Sequence, residues 1–451
     1  MQIGTIPCSA PTCADDVSLI ADSEKNLQIL IDTVVNYSKQ ENYKLQPAKS
    51  AVMSFNTNME NPGYNYTINN ESIQKPDTIV HLGITHHRNY RKTTSTQIQQ
   101  NMEKSRRTLY SLLGAGLHGK NGLNPTACLH LLQVYVIPIL TYGLEILLPS
   151  RTELQTLEIF YRKILKQILS IPTNTADPAV YILAGVIPIE SRIHKLALGM
   201  YANICRTSNS IEREIAERQL GMKAINDNSW FSKLKQILAI YELPSSHNIL
   251  DLPPTKNAWK KMVNKAVNEY WIEHIKKMST YFKSLDYLNA SNYSNGKAHA
   301  ALASVQTSAR DIARLPVKLR LMTGTYYLQS KKAAFNQNRI DPTCLVCQME
   351  SETLEHFLLD CNVLAETREP YISELNVLIK ECHPCVECNT TNTFILNLRS
   401  ILDPSTVCCG CGCDFELNHT QICEVVLYRT EILPRQDKTR QDKMATIKYS
   451  E

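Results

Sequence analysis

The sequence predicts an α+β segment at the N-terminus, followed by a mostly α-helical chain that closes in a small cysteine-rich knot. Three patterns carry that expectation. Short apolar pieces separated by turn residues open the chain, apolar residues at helical spacing fill its middle, and eleven of the 15 cysteines lie after residue 343. The length of 451 residues suggests about three folding units at roughly 150 residues each. An apolar fraction of 43%, 20% charged residues and only 15 glycines are those of a folding chain rather than a low-complexity one. The net charge of +5 is small for this length, so local charge must decide whether an anion is bound.

Met1 to Ala10 has neither a cationic start nor a sustained apolar run, so no signal or transit peptide is read there. The most apolar stretch, Leu129 to Leu148, contains Gln133, Pro138, Tyr142 and Glu145. A central carboxylate is costly in a bilayer, so the expectation is a buried helix pair and no membrane contact. An intracellular, reducing compartment follows, where clustered cysteines are more often metal ligands than disulfides.

Around the first acidic pair, Cys8-Ser-Ala-Pro-Thr-Cys-Ala-Asp15-Asp16-Val-Ser-Leu-Ile-Ala21 reads as two strand-like pieces flanking a hairpin tip. Side chains alternate along a strand, so the two carboxylates project differently, and one can serve as an oxygen ligand to Mg²⁺. By itself Ala-Asp-Asp reads more simply as a polar turn. Ser23 then stands as an N-cap before Leu27, Leu30, Ile31, Val34 and Val35, which share one helical face. A helix is expected to pack behind the hairpin. An extended segment with a proline turn follows from Tyr43 to Phe55, and His81-Leu-Gly83-Ile-Thr85 reads as another short strand.

The order Ala-Asp-Asp, helix, Leu-Gln-Pro-Ala-Lys49-Ser, then Leu-Gly83-Ile resembles the C, D and E motifs of reverse transcriptases of the non-LTR (LINE-like) retrotransposon class. The resemblance implies a remnant of a polymerase palm in which Asp15 ligates Mg²⁺, Asp16 has a less direct role and Lys49 stands where a proton donor to pyrophosphate would. A solvated surface lysine is the alternative for Lys49; Gly83 would let backbone approach the primer strand, with a simple tight turn as its alternative. Family members hold two metals between an aspartate of an earlier strand and the first aspartate of this pair, clamping the attacking and leaving oxygens. Only 14 residues precede Asp15, so that earlier strand and the fingers have no counterpart, and the chain alone is expected to be inactive unless an upstream polymerase segment joins it.

From about Thr94 to Cys205 the pattern is helical. Thr152 with Gln155 reads as a capping box, and Leu154, Leu157, Tyr161, Ile164, Leu165 and Ile168 form one apolar face, with Arg151, Arg162, Lys163 and Lys166 near or opposite it. A solvated face is the plain reading. The resemblance implies a thumb that tracks the phosphate backbone of a template-primer duplex, with an RNA template and an RNA-DNA or DNA primer duplex as partners. Between the loops at Leu243 to His247, Asp251 to Thr255 and Asn289 to Gly296, Trp259 and Trp271 suggest a helix packed into a core. Val305 to Ile340 holds Arg310, Arg314, Lys318, Arg320, Lys331, Lys332 and Arg339 against Asp311 alone, with Tyr326 and Tyr327 interleaved. That is a local basic patch suited to nucleic acid.

Cys344, Cys347, His356 and Cys361 give C-x2-C-x8-H-x4-C, four ligands that can close a tetrahedral Zn²⁺ site: a zinc knuckle. Pro342 before the first pair, and Leu354, Phe357 and Leu358 around the histidine, suit a small metal-stapled core. Glu350, Glu352, Glu355 and Asp360 make the knuckle acidic, leaving anion contact to the basic stretch before it. Cys382, Cys385, Cys388 and the cysteines from Cys408 to Cys423 define no unique second site.

Together these readings give a partial palm at 1–93, a thumb-like helical domain at 94–205, a helical connection with the basic segment at 206–340, the knuckle and cysteine-rich region at 341–388 and an unassigned tail at 389–451. The expected function is that of a fragment of an RNA-directed DNA polymerase, or of a non-catalytic zinc-containing nucleic-acid binder derived from one, in the nucleus.

Overall fold

The computed structural model describes residues 1–55, 64–117, 123–303, 309–337, 339–370, 372–373 and 402. Helix dominates, and the strands are short antiparallel pairs confined to the N-terminal part, so the chain is mostly helical with a small α+β beginning. The cysteines at 382, 385, 388 and 408 to 423, and all but Leu402 of the tail from 389, lie outside the described residues. Two compact units emerge. One comprises Met1–Ser105, Pro138–Leu157 and Ile189–Val267; the other comprises Arg106–Ile137, Glu158–Pro188 and the described part of Asn268–Glu451.

In the first unit, Gln2–Ile3 pairs with Ile6–Pro7 and Thr12–Cys13 with Asp16–Val17. Two residues per strand is little, but the second ladder is lengthened by Ser18 N donating to Pro11 O at 3.0 Å and Ile20 N to Ser9 O at 2.8 Å. Glu24–Gln40 is a helix capped as expected, with Ser23 Oγ accepting from Asn26 N at 3.3 Å. Its buried apolar residues, Ile31 and Val35, share a core with Val52, Tyr66, Ile68 and Ile73, joined at the margin by Leu19 and Leu27. The partner sheet is therefore the Thr67–Ile68 and Glu71–Ser72 hairpin rather than the acidic one. Gln28 fixes that contact by donating to Thr67 O and accepting from Thr67 N, at 3.0 and 3.1 Å.

Residues 81–85 are not one strand. They fold as the tip of a hairpin between Thr78–His81 and Ile84–His87. Leu82 and Gly83 take φ of +49° and +76°, the left-handed pair that a two-residue hairpin loop demands. A Cβ on Gly83 would lie 2.9 Å from the Tyr142 ring, whose hydroxyl donates to Leu82 O at 2.8 Å. A buried amide relay secures this hairpin to the Thr93–Leu113 helix: Gln97 accepts from Thr85 N at 2.7 Å and donates to Asn101, which donates to Tyr142 O at 2.9 Å. Buried amides must be paired, and these are.

The same unit is completed around Ile189–Arg206, where Ile193, Ala197, Leu198, Tyr201 and Ala202 are buried at helical spacing. Trp259 is 2% exposed and its Nε1 donates to Leu198 O at 2.9 Å, so it is a core residue as its sequence context suggested.

The helix Arg151–Ile168, which belongs to the first unit up to Leu157 and to the second from Glu158, buries the expected face, although its capping box lies two residues earlier than Thr152 and Gln155. Ser150 and Glu153 form it, with Ser150 N donating to Glu153 Oε2 at 2.8 Å. The basic residues of this helix are not all solvated. Asp177 pairs with Arg162 at 3.1 Å and with Lys166 at 3.0 Å, while Arg151 and Lys163 are exposed. The following helix, Asp177–Ala184, is buried around Val180 to Leu183 and ends at Gly185. Gly185 has a φ of +65°, and a Cβ there would meet Lys297 O at 2.1 Å. Glycine is what lets the 296–299 segment lie against the helix end, with Gly296 N donating to Gly185 O and His299 N to Leu183 O. Among the described residues no helix is long and apolar enough to cross a membrane.

His194 gives a test of the first unit. Burial lowers its imidazole from an ordinary 6.5 to about 4, with Tyr241 Oη 2.8 Å from Nδ1 and Glu190 3.7 Å from Nε2. The unfolded chain takes up this proton below pH 6.5 and the folded chain refuses it until about 4. Stability should therefore fall across that window, by up to about 3 kcal/mol at ~1.4 kcal/mol per unit. Denaturant midpoints measured from neutral to acid pH should show this slope in the wild type and a shallower one in His194→Gln.

Candidate metal centre and basic segment

Two local devices bring four ligands together. The first is a tight loop opened by Asp341, which accepts from Thr343 N at 2.9 Å, and closed by Glu352 N donating to Pro342 O at 2.8 Å. Inside it Cys344 N donates to Glu350 O at 2.7 Å and Gln348 N to Cys344 O at 2.8 Å, with Gln348 at a φ of +56°. This turn places Cys344 and Cys347 side by side. The second device is a π turn over His356–Asp360, closed by Cys361 N donating to His356 O at 2.8 Å. Residues five apart lie roughly 140° apart around an α-helix of 3.6 residues per turn. The wider π turn removes most of that angle and returns Cys361 to the side of His356.

The ligand atoms of Cys344, Cys347, His356 and Cys361 all lie within 4.8 Å of one another, and Cys347 Sγ is 3.3 Å from His356 Nε2. Tetrahedral zinc with bonds of ~2.3 Å to sulfur and ~2.0 Å to nitrogen sets ligands roughly 3.5–3.8 Å apart, so small side-chain adjustments suffice. The donor set fits a zinc ion, which would act as a structural cross-link. Burial pushes the Cys344 thiol up to about 12 and raises Cys361 as well. At Cys347 burial also opposes ionisation, but the amides of Glu350 and Met349, together with Cys344 and His356, outweigh it and bring the thiol down to about 7.

Glu350 and Glu352, read from the sequence as parts of an acidic knuckle, each meet a specific partner, Glu350 from an exposed position and Glu352 from a buried one. Glu350 Oε2 stands 3.1 Å from His356 Nδ1. A carboxylate only accepts, so Nδ1 carries the proton and Nε2 presents its lone pair to the cluster, an arrangement that orients metal-ligating histidines. Glu352 is fully buried and accepts from Gln329 N at 2.7 Å, while its carbonyl accepts from Ser330 Oγ, also at 2.7 Å. Tyr326 stacks on Phe357 with ring centres 5.9 Å apart. The helix Gln329–Phe335 is thereby fastened to the knuckle. Sequence reasoning missed both carboxylates, since a glutamate among three others carries no mark of direction.

The basic segment divides. Arg310 lies in the first turn of the helix Ala309–Met322 and Arg314 is half-buried further along it. Lys318 is 9% exposed, and Arg320 Nη2 donates to Ser170 O at 3.1 Å, so both are turned into the protein. Lys331 and Arg339 are exposed and Lys332 is half-buried.

Asp15 sits at the tip of its hairpin and Asp16 opposite Cys13, both exposed. Lys49 ends a single 3-10 turn and is exposed. Among the described residues the Cys344 cluster is the group of three or more metal-ligating side chains, and neither aspartate belongs to such a group. The geometry supports a zinc site and gives Mg²⁺ no support. No protein-family model matches the chain, and no curated protein matches it in sequence.

Metal analysis of the purified chain should find at least one zinc per molecule, lost in Cys344→Ala plus Cys347→Ala; equal zinc in both would refute the site. Glu350→Gln should keep the zinc but weaken its binding about tenfold in a chelator competition.

Proposed function

We propose that the chain is a zinc-containing nucleic-acid-binding protein descended from a non-LTR retrotransposon reverse transcriptase, acting in the nucleus on RNA template and its RNA-DNA or DNA primer duplex. The observation that carries this is the fastening of a basic helix to a Cys3His cluster through Glu352. Phosphate contacts by Lys331, Lys332 and Arg339 would give affinity without sequence preference. The motif order from Asp15 through Lys49 to Gly83 supports the descent, and the hairpin that sets Asp15 at its tip is compatible with a palm that once held Mg²⁺.

Binding to RNA should weaken with salt, and each lost phosphate contact should flatten the log-log slope by roughly 0.7 to 0.9. Lys331→Gln with Lys332→Gln and Arg339→Gln should therefore flatten it more than Arg314→Gln does. An unchanged slope in the triple variant would move the binding surface elsewhere.

A second reading, that of a polymerase fragment, concerns the acidic pair. Two-metal transfer needs carboxylates from separate strands held in fixed positions, and Asp15 and Asp16 have no third metal-ligating side chain grouped with them among the described residues. The 451-residue polypeptide should extend no primer by itself. Addition of an upstream polymerase segment should restore extension in a manner abolished by Asp15→Asn. Extension by the polypeptide alone, absent from Asp15→Asn, would overturn this.

A further inference from the structure

The basic helix beside the knuckle also carries large apolar side chains on the wrong side for a core. Leu328 and Ala333 face inward and are 2% exposed, as Gln329 is at 7%. Phe335, at the far end of the helix, is 88% exposed, and Tyr327, just before it, 65%. Lys331 and Phe335 stand one turn apart on the outer face of Gln329–Phe335, and Tyr327 stands just before the helix, next to its N-cap Leu328. Ala334, exposed on the same face, adds no bulk that would cover a ring.

We propose that this face is a stacking platform for single-stranded nucleic acid, with bases on Tyr327 and Phe335 and phosphates at Lys331 and Arg339. The proposal rests on the nucleic-acid-binding reading above and narrows its ligand. Unpaired bases offer π faces to aromatic side chains, whereas bases inside a duplex are already stacked. Charge favours nucleic acid over an apolar peptide: Lys331 and Arg339 are exposed and Arg314 and Lys332 half-buried, and from Ile312 to Ile340 the chain has no acidic residue. The platform cannot swing freely, because Glu352 holds the first amide of the helix and Tyr326 is stacked on Phe357. Tyrosine and phenylalanine have few rotatable bonds, so little side-chain freedom is lost when a base arrives, which is what makes exposed aromatics effective at a binding surface.

The test uses the zinc-loaded full chain with a labelled oligothymidine, an oligouridine and a blunt DNA duplex of equal length. Tyr327→Ala and Phe335→Ala should each weaken single-strand binding about tenfold, leave duplex binding unchanged, and be matched by wild-type affinity in Phe335→Trp. Both side chains are largely exposed, so the variants should keep the wild-type circular dichroism and zinc content. Single-strand binding unaltered by either change would overturn the platform while leaving the nucleic-acid reading intact. Equal losses on duplex and single strand would also overturn it, since duplex bases cannot reach the rings. Failure of the wild type to bind any of the three would overturn the reading on which the proposal rests.

Discussion

A carboxylate without solvent exposure, such as that of Glu352, must be matched by donors, because an unpaired buried charge is among the costliest features a fold can contain. Gln329 N supplies one donor at 2.7 Å, and it does so as an end group of a helix, where amides lack intrahelical partners and the dipole favours a negative charge. The knuckle thereby satisfies a helix end, and the helix end satisfies the knuckle. Neither piece is large enough to bury a core alone, so their joint order depends on this contact and on the Tyr326 and Phe357 rings beside it.

The cluster itself carries the opposite problem. Three thiols whose sulfurs lie within 4.8 Å of one another cannot all ionise without a cation, since burial and like charges both favour the neutral form. Cys344 and Cys361 show this in their raised values, whereas amide donors ease the ionisation of Cys347. A divalent ion reverses the balance by neutralising the thiolates as it links them, and its binding free energy then becomes folding free energy for the loop and the π turn. Order in the cluster fixes Glu352, and Glu352 fixes the helix. Metal loading would in this way be coupled to the presentation of Lys331 and Phe335.

Parts of this were legible in the sequence because they are set by spacing. The C-x2-C-x8-H-x4-C pattern, the Ser23 cap and the Ile31 and Val35 face are short-range constraints that survive any tertiary context. Direction is a different matter. Ser150-x-x-Glu153 and Thr152-x-x-Gln155 satisfy the same capping rule, and the choice between them fell to where the backbone turns after Leu148. Leu82-Gly83 reads as strand or as turn until the pairing of Ile79 with His86 is known. Lys318 and Arg320 count as surface charge in any composition, yet long aliphatic stems let such residues reach inward, and Arg320 finds a carbonyl 150 positions away.

The acidic hairpin and the basic helix also differ in what function would require of them. Binding to a phosphate backbone tolerates small displacements, because charge acts over a Debye length of about 8 Å in physiological salt. Nucleotidyl transfer does not, as a misplacement of about 1 Å can remove most of the rate. Asp15 sits in the turn and Asp16 in a strand of two residues, with the helix core around Ile31 directed at a different hairpin. Lys331 and Phe335 rest on a helix held by a buried carboxylate and a ring stack. Rigidity is thus placed where binding would use it, and the acidic pair lacks the packed support that metal-dependent chemistry needs.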